Sequence, residues 1–247
     1  MKRELKRQIK HDELVSGFQE ASRWTIAHGS EVKVTAAVVA VVALGAFAVM
    51  SYQGHRRGQA DRAFSAALDT FHAPVSTELP EGFEPPPGPV FSTAAEKYRK
   101  SATELDEIAR KFGSLDVGRR ARYYGALSRM ELGEYDAAEK SLGEIAAKRD
   151  GDALDSSLAR LALADFHRRR GQLDKAVEDY RRLIDDSSFV LPRDHVLREL
   201  AATLEAAKRP AEAATSYRRL FEEFPSSVYA AEARQRADYL KGGPAQG

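Results

Sequence analysis

Few groups in this chain could do chemistry, and their spacing matters as much as their type. Six histidines (His11, His28, His55, His72, His167 and His195) are scattered, and no pair has the i, i+4 spacing that would let one helix offer two imidazoles to a metal. There is no Cys, which removes thiolate metal sites, cysteine nucleophiles and disulfides together. No His-Glu-x-x-His, glycine-rich phosphate loop or Gly-x-Ser-x-Gly turn occurs. Asp150, Asp152 and Asp155 cluster in one connection, but a calcium loop needs more oxygen ligands at defined positions, so they read as a turn and a helix start. His167, next to Phe166, reads as a packing histidine. Catalysis requires converging, mutually positioned groups. None is found, so no enzymatic activity, cofactor, metal or small-molecule substrate is expected.

The elements around these residues are set by charge and hydropathy. The chain has 247 residues, with 38 Lys+Arg against 37 Asp+Glu. A net charge of +1 argues against a dedicated nucleic-acid binder, which needs a basic excess to displace counterions. Residues 1–33 carry seven basic and five acidic groups, and residues 2–28 show helical periodicity through Leu5, Ile9, Leu14 and Phe18. They read as an amphipathic tail, with Trp24, the one tryptophan, near an interface. Residues 34–53, VTAAVVAVVALGAFAVMSYQ, contain no charge and no polar stripe. As a helix they would be about 30 Å long, the thickness of a bilayer's hydrocarbon core. A cleaved signal peptide fits poorly, because 33 residues precede the run and it exceeds the usual apolar region of about 7–15 residues. An uncleaved transmembrane helix is expected. Charge leaves its orientation open: the basic tail favours a cytoplasmic N-terminus, whereas Arg56, Arg57 and Arg62 just after the run lean the other way.

Residues 54–72 continue as helix. Between Pro74 and Pro89 fall six of the ten prolines, which remove amide donors and forbid helix, so residues 73–92 read as a proline-rich loop. Thr93-Ala94-Ala95-Glu96 has capping-box spacing, with Glu96 expected to reach back to the Thr93 amide. From there to Leu240 the pattern is helix after helix, and residues 242–247 read as a frayed tail. A repeat is visible. Gly133-Glu134-Tyr135-Asp136-Ala137-Ala138 recurs 38 residues later as Gly171-Gln172-Leu173-Asp174-Lys175-Ala176, and Tyr180-Arg181-Arg182-Leu183 recurs 37 residues later as Tyr217-Arg218-Arg219-Leu220. A period of this size marks stacked helical hairpins.

These positions resemble the tetratricopeptide repeat. Ala126, Ala164 and Ala201 stand at its small helix A position, and Gly133, Gly171 and Lys208 at its turn. Ala138, Ala176 and Ala213 open helix B, and Leu142, Tyr180 and Tyr217 are its bulky residues. The chain departs where the repeat usually has a helix A tyrosine, which is Arg129, His167 and Leu204, and its period exceeds 34. With the transmembrane helix read from residues 34–53, the resemblance implies an all-α fold: one N-terminal transmembrane helix, then an α-solenoid of about four hairpins over residues 93–241. The first, degenerate hairpin would pair residues 57–72 with 93–112, and a capping helix would run from Ser226 to Leu240. It also implies a peptide-binding groove lined by the A helices. The family's offsets select Arg120, Tyr123, Leu127 and Met130, then Asp165, Arg168 and Arg169, then His195, Arg198 and Glu205. That mixture suits an extended peptide or an acidic segment, although Arg168-Arg169-Arg170 also reads as a solvated helix end favourable to the dipole.

In layout the chain resembles the YfgM-like ancillary subunits of the SecYEG translocon. That resemblance implies a bacterial inner-membrane protein with a cytoplasmic N-terminus and a periplasmic array. Its partners would be translocon components, periplasmic chaperones or exported chains. The alternative is a structural subunit of a larger membrane complex, docked through its anchor and N-terminal helix.

Overall fold

The structure, a computed structural model, describes residues 29–79, 87–147 and 153–242. The expectations for residues 2–28, for Asp150 and Asp152, and for residues 80–86 and 243–247 lie outside these. The chain divides into two compact units, residues 1–58 and 59–247. Among the described residues there are nine α-helices and no strand.

Helix α1 spans Gly29–His72. It holds the one stretch among the described residues that is long and apolar enough to cross a membrane, and none of that stretch is buried. Val38, Val42, Leu44, Phe47 and Met50 are all more than half exposed. Each such side chain forgoes about 1.5–3 kcal/mol of burial while it remains in water. The helix stops at His72, just before Ala73-Pro74, where proline forbids continuation.

The connection that follows is pinned at its ends. Phe91 N–H donates to Pro74 O (3.1 Å) and Ser76 N–H to Phe91 O (2.8 Å), an isolated parallel bridge between buried Val75 and Phe91. Helix α2 spans Ala94–Lys111, capped by Thr93 Oγ1, which accepts from Glu96 N–H at 3.1 Å. The return bond differs from expectation. Glu96 accepts from the amide of Ser92, not Thr93 (3.3 Å), one residue further back.

The remaining helices are α3 (Asp116–Glu131), α4 (Tyr135–Ala146), α5 (Ala153–Arg169), α6 (Leu173–Asp185), α7 (Arg193–Ala206), α8 (Pro210–Glu223) and α9 (Ala230–Gly242). Each packs on the next in sequence. The turns after α3, α5 and α7 share one geometry. Gly133, Gly171 and Lys208 have φ of 75°, 70° and 59°, and the next residue's amide bonds five residues back, to Arg129, His167 and Leu204 respectively. This is the Schellman termination, whose left-handed residue is normally glycine. Lys208 adopts it against the steric penalty on a side chain.

Small residues set the spacing inside each hairpin. Ala126, Ala138, Ala164, Ala176, Ala201 and Ala213 are all fully buried. Such side chains let helices cross closely, and the larger Leu142, Tyr180 and Tyr217, also buried, fill the space toward the next pair. One apolar cluster runs from α5 to α9, a second joins Ala60 and Ala67 of α1 to α2 and α3, and a third lies among α3, α4 and α5. The last helix begins later than expected. Residues 226–229 form turns before α9 starts at Ala230. Ser227 holds them, donating from its hydroxyl to Asp194 on α7 (2.6 Å) and accepting the Tyr229 amide (3.2 Å).

Candidate partner-binding groove

Helices α3, α5 and α7 carry the ten residues selected from sequence, and the structure sorts them into separate groups. Tyr123, Leu127 and Met130 are half-buried against the cluster of Ala126, Leu142, Ile145, Ala159 and Ala162. Tyr123 meets the ring of Tyr124 edge-on at 5.4 Å. Burial, with Tyr124 and Asp165 nearby, pushes the Tyr123 phenol up to about 12. Arg120 is exposed at the start of this row.

A second group is polar and contiguous. Asp165 on α5 accepts a 2.5 Å bond from the hydroxyl of Tyr180 on α6. One turn along α5, Arg168 reaches Glu199 on α7 at 3.6 Å, and Arg198 binds the same carboxylate at 2.5 Å. The Arg198 guanidinium lies over the ring of Tyr229 at 5.0 Å, and His195 approaches that ring at 6.2 Å. The side chains of Arg168 and Arg198 are each 37% exposed, whereas Glu199 is 12% exposed. Arg168 and Arg198 share Glu199, and Asp165 adds a second carboxylate beside Arg168, so the charges of the group balance. The Nε of Arg168 is also buried without a hydrogen-bond partner. Burial disfavours the Arg168 cation, yet Tyr180, Glu199 and Asp165 outweigh it and raise its pKa. The partly exposed guanidiniums of Arg168 and Arg198 present N–H donors toward solvent.

The others are committed elsewhere. Glu205 accepts from Arg236 on α9 (3.0 and 2.5 Å) and from the Tyr217 hydroxyl (2.9 Å). Arg169 pairs with Glu131 at 2.9 Å, and Arg170 stacks over Tyr135 at 4.7 Å. The three consecutive arginines therefore go three ways.

Sequence reasoning missed Glu199, Tyr229 and Arg236. Glu199 occupies the repeat position of Tyr124 and Ala162, outside the groove offsets, and the other two belong to the closing segment. The only sequence signal was that Glu199 adjoins a selected arginine. Asp155, from the acidic cluster, pairs with Arg119 at 3.0 Å. Among the described residues no three His, Asp or Glu side chains converge as a metal site.

Comparison with known families agrees with this architecture. A family model described as tetratricopeptide repeat-like domain matches residues 24–190, and one described as tetratricopeptide repeat matches residues 196–227. No curated protein matches. Among solved structures, the chain is similar to kinesin light chain nearly identical TPR-like repeats of Podosopora anserina. A point variant of these repeats has 15% identity and a TM-score of 0.47, covering 60% of this chain and 84% of that one. A second structure of the repeats has 12% identity and a TM-score of 0.43, covering 62% and 90%.

Proposed function

The chain belongs to the tetratricopeptide repeat-like domain family, and from that premise we propose that it is a membrane-anchored scaffold presenting a peptide-binding groove to protein partners. Repeats of this kind bind proteins or peptides and are typically not enzymes. The observation that carries the reading is the extent of the family match. It begins at residue 24, so one matched stretch takes in both the apolar run of α1 and the first part of the array. Exposure of that run on every side supports insertion through residues 34–53, since a bilayer would supply the burial that water denies. The resemblance to YfgM-like proteins, with the basic tail, supports a cytoplasmic N-terminus and an extracytoplasmic array, on the outer face of a bacterial inner membrane. The resemblance to YfgM-like proteins points to exported chains, periplasmic chaperones or translocon components as partners.

The groove would hold an extended segment with an acidic side chain between Arg168 and Arg198, and an apolar one beside Tyr123, Leu127 and Met130. Replacing a solvated carboxylate by a bidentate arginine contact gives a charge-assisted bond of geometric specificity. Photo-crosslinking from positions 168 and 198 in intact membranes tests this. Capture of one defined exported chain, chaperone or translocon subunit, lost in the R168A/R198A double variant, is the expected result. Capture unchanged by the double variant would overturn the groove assignment. A reporter fused after Gly247 and active only in the cytoplasm would overturn the orientation. Copurification of partners that persists without residues 93–241 would favour the alternative, docking through anchor and tail.

A further inference from the structure

Away from the groove, the first hairpin of the array forms a second concave surface. Within the compact unit of residues 59–247, the last turns of α1 run antiparallel to α2. Phe71 meets Tyr98 edge-on at 5.8 Å, and Ala60 and Ala67 share an apolar cluster with Leu105, Ile108 and Phe112. Between the two helices lies a cavity of about 470 Å³, within the range of about 300–1,000 Å³ of small-ligand sites. Its floor is apolar, with Ala63 on one side and Ile108 and Phe112 on the other. Its rim is charged on both helices: Arg62 on α1, and Glu104, Glu107 and Lys111 on α2.

One oxygen in this lining is unsatisfied. Glu104 Oε2 is buried without a hydrogen-bond partner among the described residues, while Oε1 stands 3.9 Å from Lys100 Nζ. A carboxylate oxygen only accepts, so the missing group is an N–H or O–H donor, and leaving a buried acceptor without one is costly. The other end of the lining favours the opposite charge. The helical rise places Lys111 about 10 Å along α2 from Glu104, and the antiparallel course of α1 sets Arg62 at the Lys111 end. Cations at one end and carboxylates toward the other complement a short zwitterion rather than an ion of one sign.

We propose that this cavity is a site for a phosphoethanolamine group, supplied by the headgroup of a phospholipid. The ammonium donates to Glu104 Oε2, with Glu107 adding negative charge, and the phosphate lies between Arg62 and Lys111. The two carbons between them and the glycerol beyond rest on Ala63, Ile108 and Phe112. A quaternary ammonium, as in phosphocholine, keeps the charges but has no N–H, so Glu104 Oε2 stays unsatisfied. The lipid source rests on the membrane-anchor reading: Gln59, the first residue of the lining, follows the apolar run 34–53 by six positions.

Native mass spectrometry of the full-length chain, delipidated in detergent, tests this with two matched pairs of probes. One pair is phosphatidylethanolamine against phosphatidylcholine, and the other is O-phosphoethanolamine against phosphocholine in water. The wild type should retain phosphatidylethanolamine about tenfold better than phosphatidylcholine, the worth of one charge-assisted hydrogen bond. Glu104→Leu should lose that preference, and R62A/K111A should weaken both lipids alike, because both carry the phosphate. Lipid held around the apolar run does not respond to position 104, so the difference between wild type and variant isolates the cavity. Equal retention of the two lipids by the wild type, a comparison that needs no variant to fold, or an unchanged preference in Glu104→Leu would overturn the proposal. A preference confined to the soluble pair would overturn the lipid source. The anchor reading fails separately, by a chain that stays in the aqueous phase when detergent is exchanged for vesicles.

Discussion

Replacing Tyr180 by phenylalanine removes one oxygen from the middle of the array. The side chain is fully buried, and its hydroxyl donates to Asp165 at 2.5 Å. A hydrogen bond to a charged acceptor contributes about 1.5–3 kcal/mol. Asp165 is half-buried, so water can replace part of that bond, which places the cost at about 1.5–2 kcal/mol. For a protein of this size that lowers Tm by about 3–8 °C. The matching change, Tyr217→Phe, is the internal control. Tyr217 donates to Glu205, but Glu205 also receives two Arg236 bonds, so the carboxylate stays satisfied and the cost stays below about 1 kcal/mol. Thermal and urea unfolding of the full-length variants in one detergent gives both values. A Tyr217→Phe loss equal to or above that of Tyr180→Phe would refute the reasoning. The pair also has a pH signature. Burial, with Asp165 or Glu205 nearby, holds both phenols well above their ordinary value. Groups that keep their proton when folded contribute stability that is complete below their unfolded value, about 10, and lost as pH rises further. Wild-type stability should therefore fall more steeply above pH 10 than that of Tyr180→Phe.

Three further outcomes are expected. Lys208→Gly should stabilise the chain by about 0.5–1 kcal/mol in urea unfolding, because relief of left-handed strain at φ 59° exceeds the added freedom of the unfolded chain. Asp186, bonded by Ser188 and Arg160, has its carboxyl held down to about 2. Its contribution is present above the ordinary carboxylate range and lost as pH falls from about 4 toward 2, so Asp186→Asn should flatten the acid limb of a stability–pH profile. Ala201→Leu, at a fully buried position where α7 crosses α8, should cost about 1–3 kcal/mol through overpacking, read as a lower urea midpoint.

What could be read from sequence was whatever one repeat determines by itself. Ala126, Ala164 and Ala201 were assigned by resemblance to the repeat's small helix A position, where only small side chains permit close crossing, and all three are fully buried. The turn at Lys208 was found by register with Gly133 and Gly171, although lysine is a poor residue for it. The groove was less legible because its electrostatics arise between repeats. Arg168 and Arg198 were selected separately, but Glu199 makes them one site. Glu205 looked available until Arg236, thirty-one residues on, was placed against it. The start of α9 was misread for a similar reason: Ser227 is drawn into a turn by Asp194, a partner no local pattern announces.

The bridge between Val75 and Phe91 has a practical corollary. Because the chain enters and leaves this connection through two backbone bonds and two buried side chains, the helices on either side are insulated from its length. Closing a longer excursion adds only about 0.6 kcal/mol per doubling. The stretch beyond Ser76 and before Val90 is thus a natural port for grafting an epitope, a protease site or a fluorescent module without altering the register of the array.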